Sequence, residues 1–425
     1  MTLFDEEIAR LDVERADLAA RAARETNDGR RAYVDAIVAR VERARATLAA
    51  AAAADSGVEK PTTTGRDVAR VHARDLTPRR FRLEYVATDT PVVIEGLGSA
   101  LTEDGADGET CAWLTRRAGN KKVAVTRKDG HRRATLSCEV TDVLDLKDFF
   151  AEVVDDRGAG SYLYDTSIPL KLPSLSESVR VPAYVAHDYM QRTMRLTAFS
   201  RSWPSLFVAA KNTRSSLHVD QWQGHFFMAM VRGTKRWTVF SRESLAFLRP
   251  SWSRGTLDPA MPPLEEQEEM GMLPLPREFG ARRWDVDLGP GEVLFVPGGS
   301  PHAVRNLDCT VAFAGNFVDD VNLDRVLEDL KLMAAKDPAL MESYRALDEV
   351  DFDDEGAALA AGDDDVHAGA FDANARVVRV ADYLAGGDSC DGMDVSRRVS
   401  EFGTRGSRRR KKVTKKSGKP SYPHG

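Results

Sequence analysis

The sequence predicts a mainly β protein, with a closed or sandwiched all-β core and helices at both ends. Three observations carry that expectation. Between residues 77 and 318, short runs rich in β-branched and aromatic residues recur, broken by Gly, Pro and Asp. Outside that stretch the apolar residues fall at helical spacing, as at Tyr33, Ile37 and Val41. A His-x-Asp pair, His218 and Asp220, lies inside one of the strand-like runs. On a strand, residues two apart project from the same face, so this imidazole and carboxylate can converge on one point.

Taken in order, residues 1–60 form an Ala/Arg-rich extension whose spacing, including Val34 and Val38, predicts one or two amphipathic helices. Such helices dock on their own domain more often than they bind a partner. The polar stretch SGVEKPTTTGRD then reads as a linker. From Thr77 the runs YVATDTPVVIEGL, KKVAVTR and SYLYDTS read as strands, with a helix between them near 144–156 and another around AYVAHDYMQRTM. Beyond residue 200 come SLHVD, GHFFMAMV, KRWTVF, GEVLFVPG and TVAFAGNFV. The second and third of these, joined by Arg-Gly-Thr, are expected to pair as a hairpin. A Pro-rich insertion from Pro250 to Gly280 is expected as a surface excursion over the mouth of the core. Residues 319–348 carry helical spacing again at Val321, Val326, Leu327, Leu330 and Leu332. Residues 349–425 read as an acidic linker followed by a disordered basic tail.

Composition limits the functions available. A chain of 425 residues with 42% hydrophobic content can bury a substantial core, and a net charge of −6 argues against general nucleic-acid binding. Four widely separated cysteines suggest neither a disulfide framework nor a Cys-type zinc site. No apolar run approaches membrane-spanning length, and a soluble, intracellular protein without membrane contact is expected. The tail from Arg408 to Lys416 is basic, which predicts a nuclear address or an RNA contact; a cytoplasmic location is the alternative.

A third candidate ligand, His302, follows the turn Pro297-Gly298-Gly299. Two imidazoles and one carboxylate that leave coordination positions open are the set expected of a non-haem Fe(II) oxygenase. A carboxylate on an apolar strand is costly to bury unless a cation or donors meet it.

Together, the HVD triplet, the GTKRW segment, GEVLFVPGGSPHAVRNLD and the following AGNF resemble the Jumonji-C, cupin-like 2-oxoglutarate oxygenases. Within that family they are most similar to the branch of bifunctional arginine demethylases and lysyl hydroxylases once described as phosphatidylserine receptors. The resemblance runs from about Phe81 to Val318, strongest from Tyr162 onward, and implies a double-stranded β-helix, or jelly-roll, core for the domain at residues 77–318. It implies His218, Asp220 and His302 as Fe(II) ligands and catalytic residues, with 2-oxoglutarate and dioxygen as cosubstrates and ascorbate as a stimulant. It further implies that Lys235 holds the distal carboxylate of 2-oxoglutarate, helped by the hydroxyls of Ser215 and Tyr162, with Asn316 in the same cavity. Two positions depart from the branch: Met228 stands where it has Asn, and Ala314 where it has Thr. Both remove hydrogen-bonding groups from the pocket lining.

The resemblance implies a protein substrate, hydroxylated at Lys or N-demethylated at methyl-Arg, and a possible homodimer. Hydroxylation of a modified RNA base, or an inactive cupin used as a binding module, are the competing classes. Of the remaining residues, His225 is expected at the rim facing substrate, and Trp222, Phe227 and Trp237 in packing, with Trp222 or Phe227 able to line the entrance.

Overall fold

A computed structural model describes residues 3–54, 66–103, 111–127, 142–155, 160–193, 197, 199–271, 275–350 and 372–385. Residues 55–65 of the expected linker, the acidic stretch 351–365 and the basic tail lie outside the described residues, while the last two linker residues, Arg66 and Asp67, form a short strand.

Two helices, α1 (Leu3–Arg24) and α2 (Asp28–Ala54), open the chain. Their apolar stripes follow the helical repeat: Leu11 and Leu18 on the first, Tyr33, Ile37, Val41, Ala44 and Leu48 on the second. These residues are buried against each other and against Phe247, Trp252, Leu257 and Ala281 of the main body. Arg10 ties the hairpin down by donating to the Pro250 carbonyl at 2.7 Å. The extension is therefore docked on its own chain.

The core is two sheets packed face to face, as a jelly-roll requires. The smaller has five strands in the order Arg66–Asp67, Arg283–Leu288, Lys235–Phe240, His302–Asn306 and Arg214–His218. At the centre of the larger, nine-stranded sheet lie Val293–Val296, His225–Arg232, Thr310–Phe317 and Ser205–Ala209. Side chains from both sheets meet in one cluster: Trp237, Val239, Val286, Leu288 and Val304 from the smaller, Phe207, Met228, Met230, Leu294, Ala312 and Ala314 from the larger.

The runs expected to pair as a hairpin do not. Strand His225–Arg232 bonds to Val293–Val296 and Thr310–Phe317, whereas Lys235–Phe240 bonds to Arg283–Leu288 and His302–Asn306. All four hydrogen-bonding edges are thus occupied by other strands, and the two runs stack across the core on opposite sheets. Gly233 makes the crossing with φ +68°, where an added methyl would collide with the Cys309 carbonyl. Apolarity on both faces of each run is satisfied equally by pairing or by stacking, so pattern alone could not separate them.

Other elements also differ from expectation. The run from Tyr85 to Leu97 holds only a short strand, Val92–Glu95, preceded by a π-helical turn at Arg82–Val86. The helix expected near 183–194 is two short 3₁₀ turns, Ala183–Val185 and Tyr189–Gln191, the second capped by Asp188. The Pro-rich insertion coats the outside of the smaller sheet: Met261, Leu264 and Leu275 pack on Leu217, Phe240, Leu248 and Ala303. Trp252 and Leu257 of the insertion pack against the N-terminal helices, and the Leu257 carbonyl and Asp258 carboxylate meet Arg40. Helices Leu323–Met333 and Ala339–Asp348 follow the core. Within the stretch expected as linker and tail, residues 372–385 form a turn, a strand and a short helix. Tyr383 fixes this piece by donating to buried Asp188 at 2.8 Å.

Candidate active site

His218 and Asp220, two residues apart, converge with the distant His302 at one end of the sandwich. The ligand atoms of His218, Asp220 and His302 all lie within 4.8 Å of one another. From Asp220 Oδ1 the distances are 3.5 Å to His218 Nε2 and 4.0 Å to His302 Nε2. Strand pairing sets this up, because His218 and His302 are direct partners across antiparallel strands. A bulge between His302 and Val304 shifts the register so that Ser215, opposite Val304, shares the inner face with His218.

Both imidazoles are locked in one tautomer. His218 Nδ1 donates to the Ser216 carbonyl at 2.6 Å and His302 Nδ1 to the Ser300 carbonyl at 3.0 Å, since a carbonyl can only accept. Nε2 of each ring is thereby left facing Asp220, the arrangement that metal-binding histidines use. Burial works against charge on His218, but its hydrogen bond to Asp220 and that carboxylate's charge raise the imidazole, and a metal ion would displace the proton. Burial alone would raise the Asp220 carboxyl; hydrogen bonding from His218 and the charge of the two imidazoles overcome it and hold the group near 2. Burial pushes His302 down to about 4, so its ring is neutral at pH 7. An ionised carboxylate and two imidazole Nε2 atoms aimed at one point fit a divalent metal, and this set with open positions fits ferrous iron. Phe226 and Trp237 flank the His302 ring, with centroids at 6.3 and 5.6 Å.

Asn316, expected in the cosubstrate cavity, donates from its amide to Asp220 Oδ2 at 3.1 Å. It orients the carboxylate. The residue comes from the larger sheet, opposite Phe226, so the clamp joins the two sheets at the site.

Lys235 lies deeper in the cavity on the strand that carries Trp237 and Val239. Their partners define rows across the smaller sheet: Val239 beside His302, Trp237 beside Val304, Lys235 beside Asn306. From the Val239 row to the Lys235 row is about 13 Å along the strand. The Lys235 side chain is fully buried, and burial pushes its amine down to about 7. Its Nζ reaches the Tyr162 hydroxyl at 3.4 Å and stands 5.3 Å from that ring's centroid. Among the described residues no carboxylate comes within ion-pairing distance of it. Ser215 lies in the intermediate row, between Lys235 and the histidines. Met228 and Ala314 face each other across neighbouring strands of the opposite wall, a large side chain beside a small one.

His225 is buried and does not reach the rim. Its Nδ1 accepts from the Gly298 N–H at 2.9 Å, and its Nε2 lies 3.4 Å from Asp319 Oδ1. It thereby anchors the turn that leads into His302. Phe227 is also fully buried, and Trp222 packs with Phe199 and Trp203. Sequence reasoning passed over Phe226 and Tyr164, although both alternate with residues already assigned to inward faces.

With the geometry in place, family membership follows. Residues 78–321, more than half of the chain, match the cupin-like domain, and the chain belongs to that family. It is similar to the arginine-specific demethylase JMJ20 of Arabidopsis thaliana, at 26% identity over 61% of this chain and 59% of the relative. It is also similar to the bifunctional arginine demethylase and lysyl-hydroxylase psr-1 of Caenorhabditis elegans, at 23% identity over 61% of this chain and 63% of that protein. A third similarity is to the 2-oxoglutarate and iron-dependent oxygenase JMJD4 homolog of Drosophila melanogaster, at 23% identity over 43% and 39%. The chain thus spans less than two thirds of each of these relatives.

Proposed function

We propose that the protein is an Fe(II)- and 2-oxoglutarate-dependent oxygenase that modifies a protein side chain. One observation carries this reading: a fully buried lysine amine without a carboxylate partner among the described residues, on the same sheet face as His218 and His302, which converge with Asp220. An uncompensated buried cation is expensive, and a dicarboxylic cosubstrate supplies the missing anion.

His218, Asp220 and His302 would hold the iron, which when bound supplies activation of dioxygen for oxidative decarboxylation of 2-oxoglutarate to succinate. The chain's own contribution is placement. Lys235 binds the distal carboxylate, and Tyr162 and Ser215 add hydroxyl donors. Asn316 keeps Asp220 turned toward the histidines. The apolar wall around Met228 and Ala314 excludes water. The names of the relatives support Lys or methyl-Arg as the target, giving hydroxylation or N-demethylation with release of formaldehyde.

With Fe(II) and ascorbate, purified protein should convert 2-oxoglutarate to succinate without added substrate, and His218→Ala should not. Equal turnover by the two would sink the reading and leave a binding module. Treating protein and RNA pools and following mass changes of about +16 or −14 would separate a protein target from a modified base. The basic tail further supports a nuclear location. Deleting Arg408 to Lys416 should abolish nuclear accumulation of a fluorescent fusion.

A further inference from the structure

Two loops carry ligands into the site, and one side chain sits between them. Asp220 opens the first, a tight turn at Gln221–Gln223 in which Trp222 and Gln223 take left-handed φ values of 47° and 57°. Such backbone strain in bulky residues persists only where the surroundings impose it. The second loop, Pro297 to Pro301, leads into His302. Gln223 fills the notch made by its two glycines: an added methyl at Gly298 would collide with the Gln223 carbonyl, and one at Gly299 with Gln223 Oε1. Asn322 donates from Nδ2 to that same carbonyl at 3.1 Å, and His225 secures Gly298 from the other side.

The far end of Gln223 leads out of the barrel. Burial raises the carboxyl of Asp329, on helix Leu323–Met333, while the Arg40 guanidinium and the neighbouring Gln223 amide favour its ionised form, the amide without closing a full hydrogen bond on Oδ2. Arg40, on α2, donates to Asp329 Oδ1 and at 3.0 Å to the Leu257 carbonyl. A series of neighbours thus runs from the N-terminal hairpin through Arg40 and Asp329 to Gln223, which sits between the loops that carry Asp220 and His302. The hairpin itself lies outside the cupin-like match of residues 78–321.

We propose that Gln223 is a positioning residue that sets the spacing of Asp220 and His302, and that Arg40 and Asp329 hold it there, making the N-terminal hairpin part of the metal centre. The inference rests on the metal reading given above. Its test is titration of the full-length, metal-free protein with Co(II), following ligand-field absorbance, alongside thermal unfolding of the same samples. Wild type should bind one equivalent, and His218→Ala should lose it. Gln223→Ala should bind about 10- to 100-fold more weakly, the range found when residues supporting metal ligands are removed, with altered band positions. Arg40→Ala should shift the spectrum in the same direction, and Arg40→Lys, which cannot serve both acceptors, should recover part of the loss. Should Gln223→Ala fail to fold, the Arg40 pair carries the same comparison. Wild-type affinity and spectrum in Gln223→Ala, or in Arg40→Ala if that variant has to stand in, would overturn the positioning role while leaving the metal centre intact. Failure of wild type to take up Co(II) would overturn both.

Discussion

The two sheets of the sandwich face one cavity with opposite chemistry. The smaller turns His218, His302, Ser215 and Lys235 inward, whereas the larger opposes them with Phe207, Met228, Met230, Leu294, Ala312 and Ala314. Two residues of the larger sheet break that pattern: Asn316 at the metal end, where it crosses to hold Asp220, and Tyr162 on strand Ser161–Ser167, whose hydroxyl meets Lys235. The contrast teaches that reactive groups and their environment come from different parts of the fold. One sheet provides ligands and charge; the other provides dryness, and dryness is what pushes the Lys235 amine down to about 7.

The contrast is broken most severely by removing the charge. Lys235→Ala should raise the concentration of 2-oxoglutarate needed for half-maximal uncoupled turnover by about 100-fold, because truncating one partner of a buried charged pair costs roughly 2–5 kcal/mol. A change below about threefold would show that the ammonium does not meet the cosubstrate. Polarity introduced on the opposite wall should act next. Met228→Asn places an amide among apolar neighbours and should destabilise the protein by about 2 kcal/mol, read as a lowered midpoint in urea.

The pH dependence of 2-oxoglutarate binding sharpens the same contrast. The free protein loses the Lys235 proton near pH 7, but the anion binds the ammonium, so binding must take up a proton above that pH. Affinity measured by calorimetry should fall by about tenfold between pH 7 and 8.5, with the slope gone in Lys235→Met. Stability of the cosubstrate-free protein runs the other way. The unfolded chain keeps this proton to its ordinary value of 10.5 and the folded chain does not, so folding gains as pH rises from about 7 to 10.5. Ser215→Ala should have the smallest effect, a few-fold loss in 2-oxoglutarate affinity, in line with one neutral hydrogen bond of about 1 kcal/mol.

Much of the site was legible in the sequence because its chemistry depends on residue type and short spacing. His218 and Asp220 declare themselves as two residues apart in a strand context, and His302 follows a Gly-Gly turn that allows close backbone approach. Lys235 stood out only through family resemblance, since a lysine gives no sign of burial by itself. Asn316 was placed in the cavity, but its bond to Asp220 was not foreseeable, because which oxygen an amide meets is decided by a strand from the other sheet. His225 looked like a rim residue because it follows the ligand turn. Its real position comes from the Gly298 amide and Asp319, which lie more than 70 residues away in sequence.

By itself the sequence determined the β core, the flanking helices and the identity of the three convergent ligands, since periodicity and residue chemistry are local properties. Tertiary structure alone decided that His225–Arg232 and Lys235–Phe240 stack on opposite sheets and do not pair. It alone docked the N-terminal hairpin on the rest of the chain through Arg40 and Asp329. Those outcomes turn on which strand occupies each hydrogen-bonding edge and which distant groups share a buried space, and neither is encoded in any short stretch of chain.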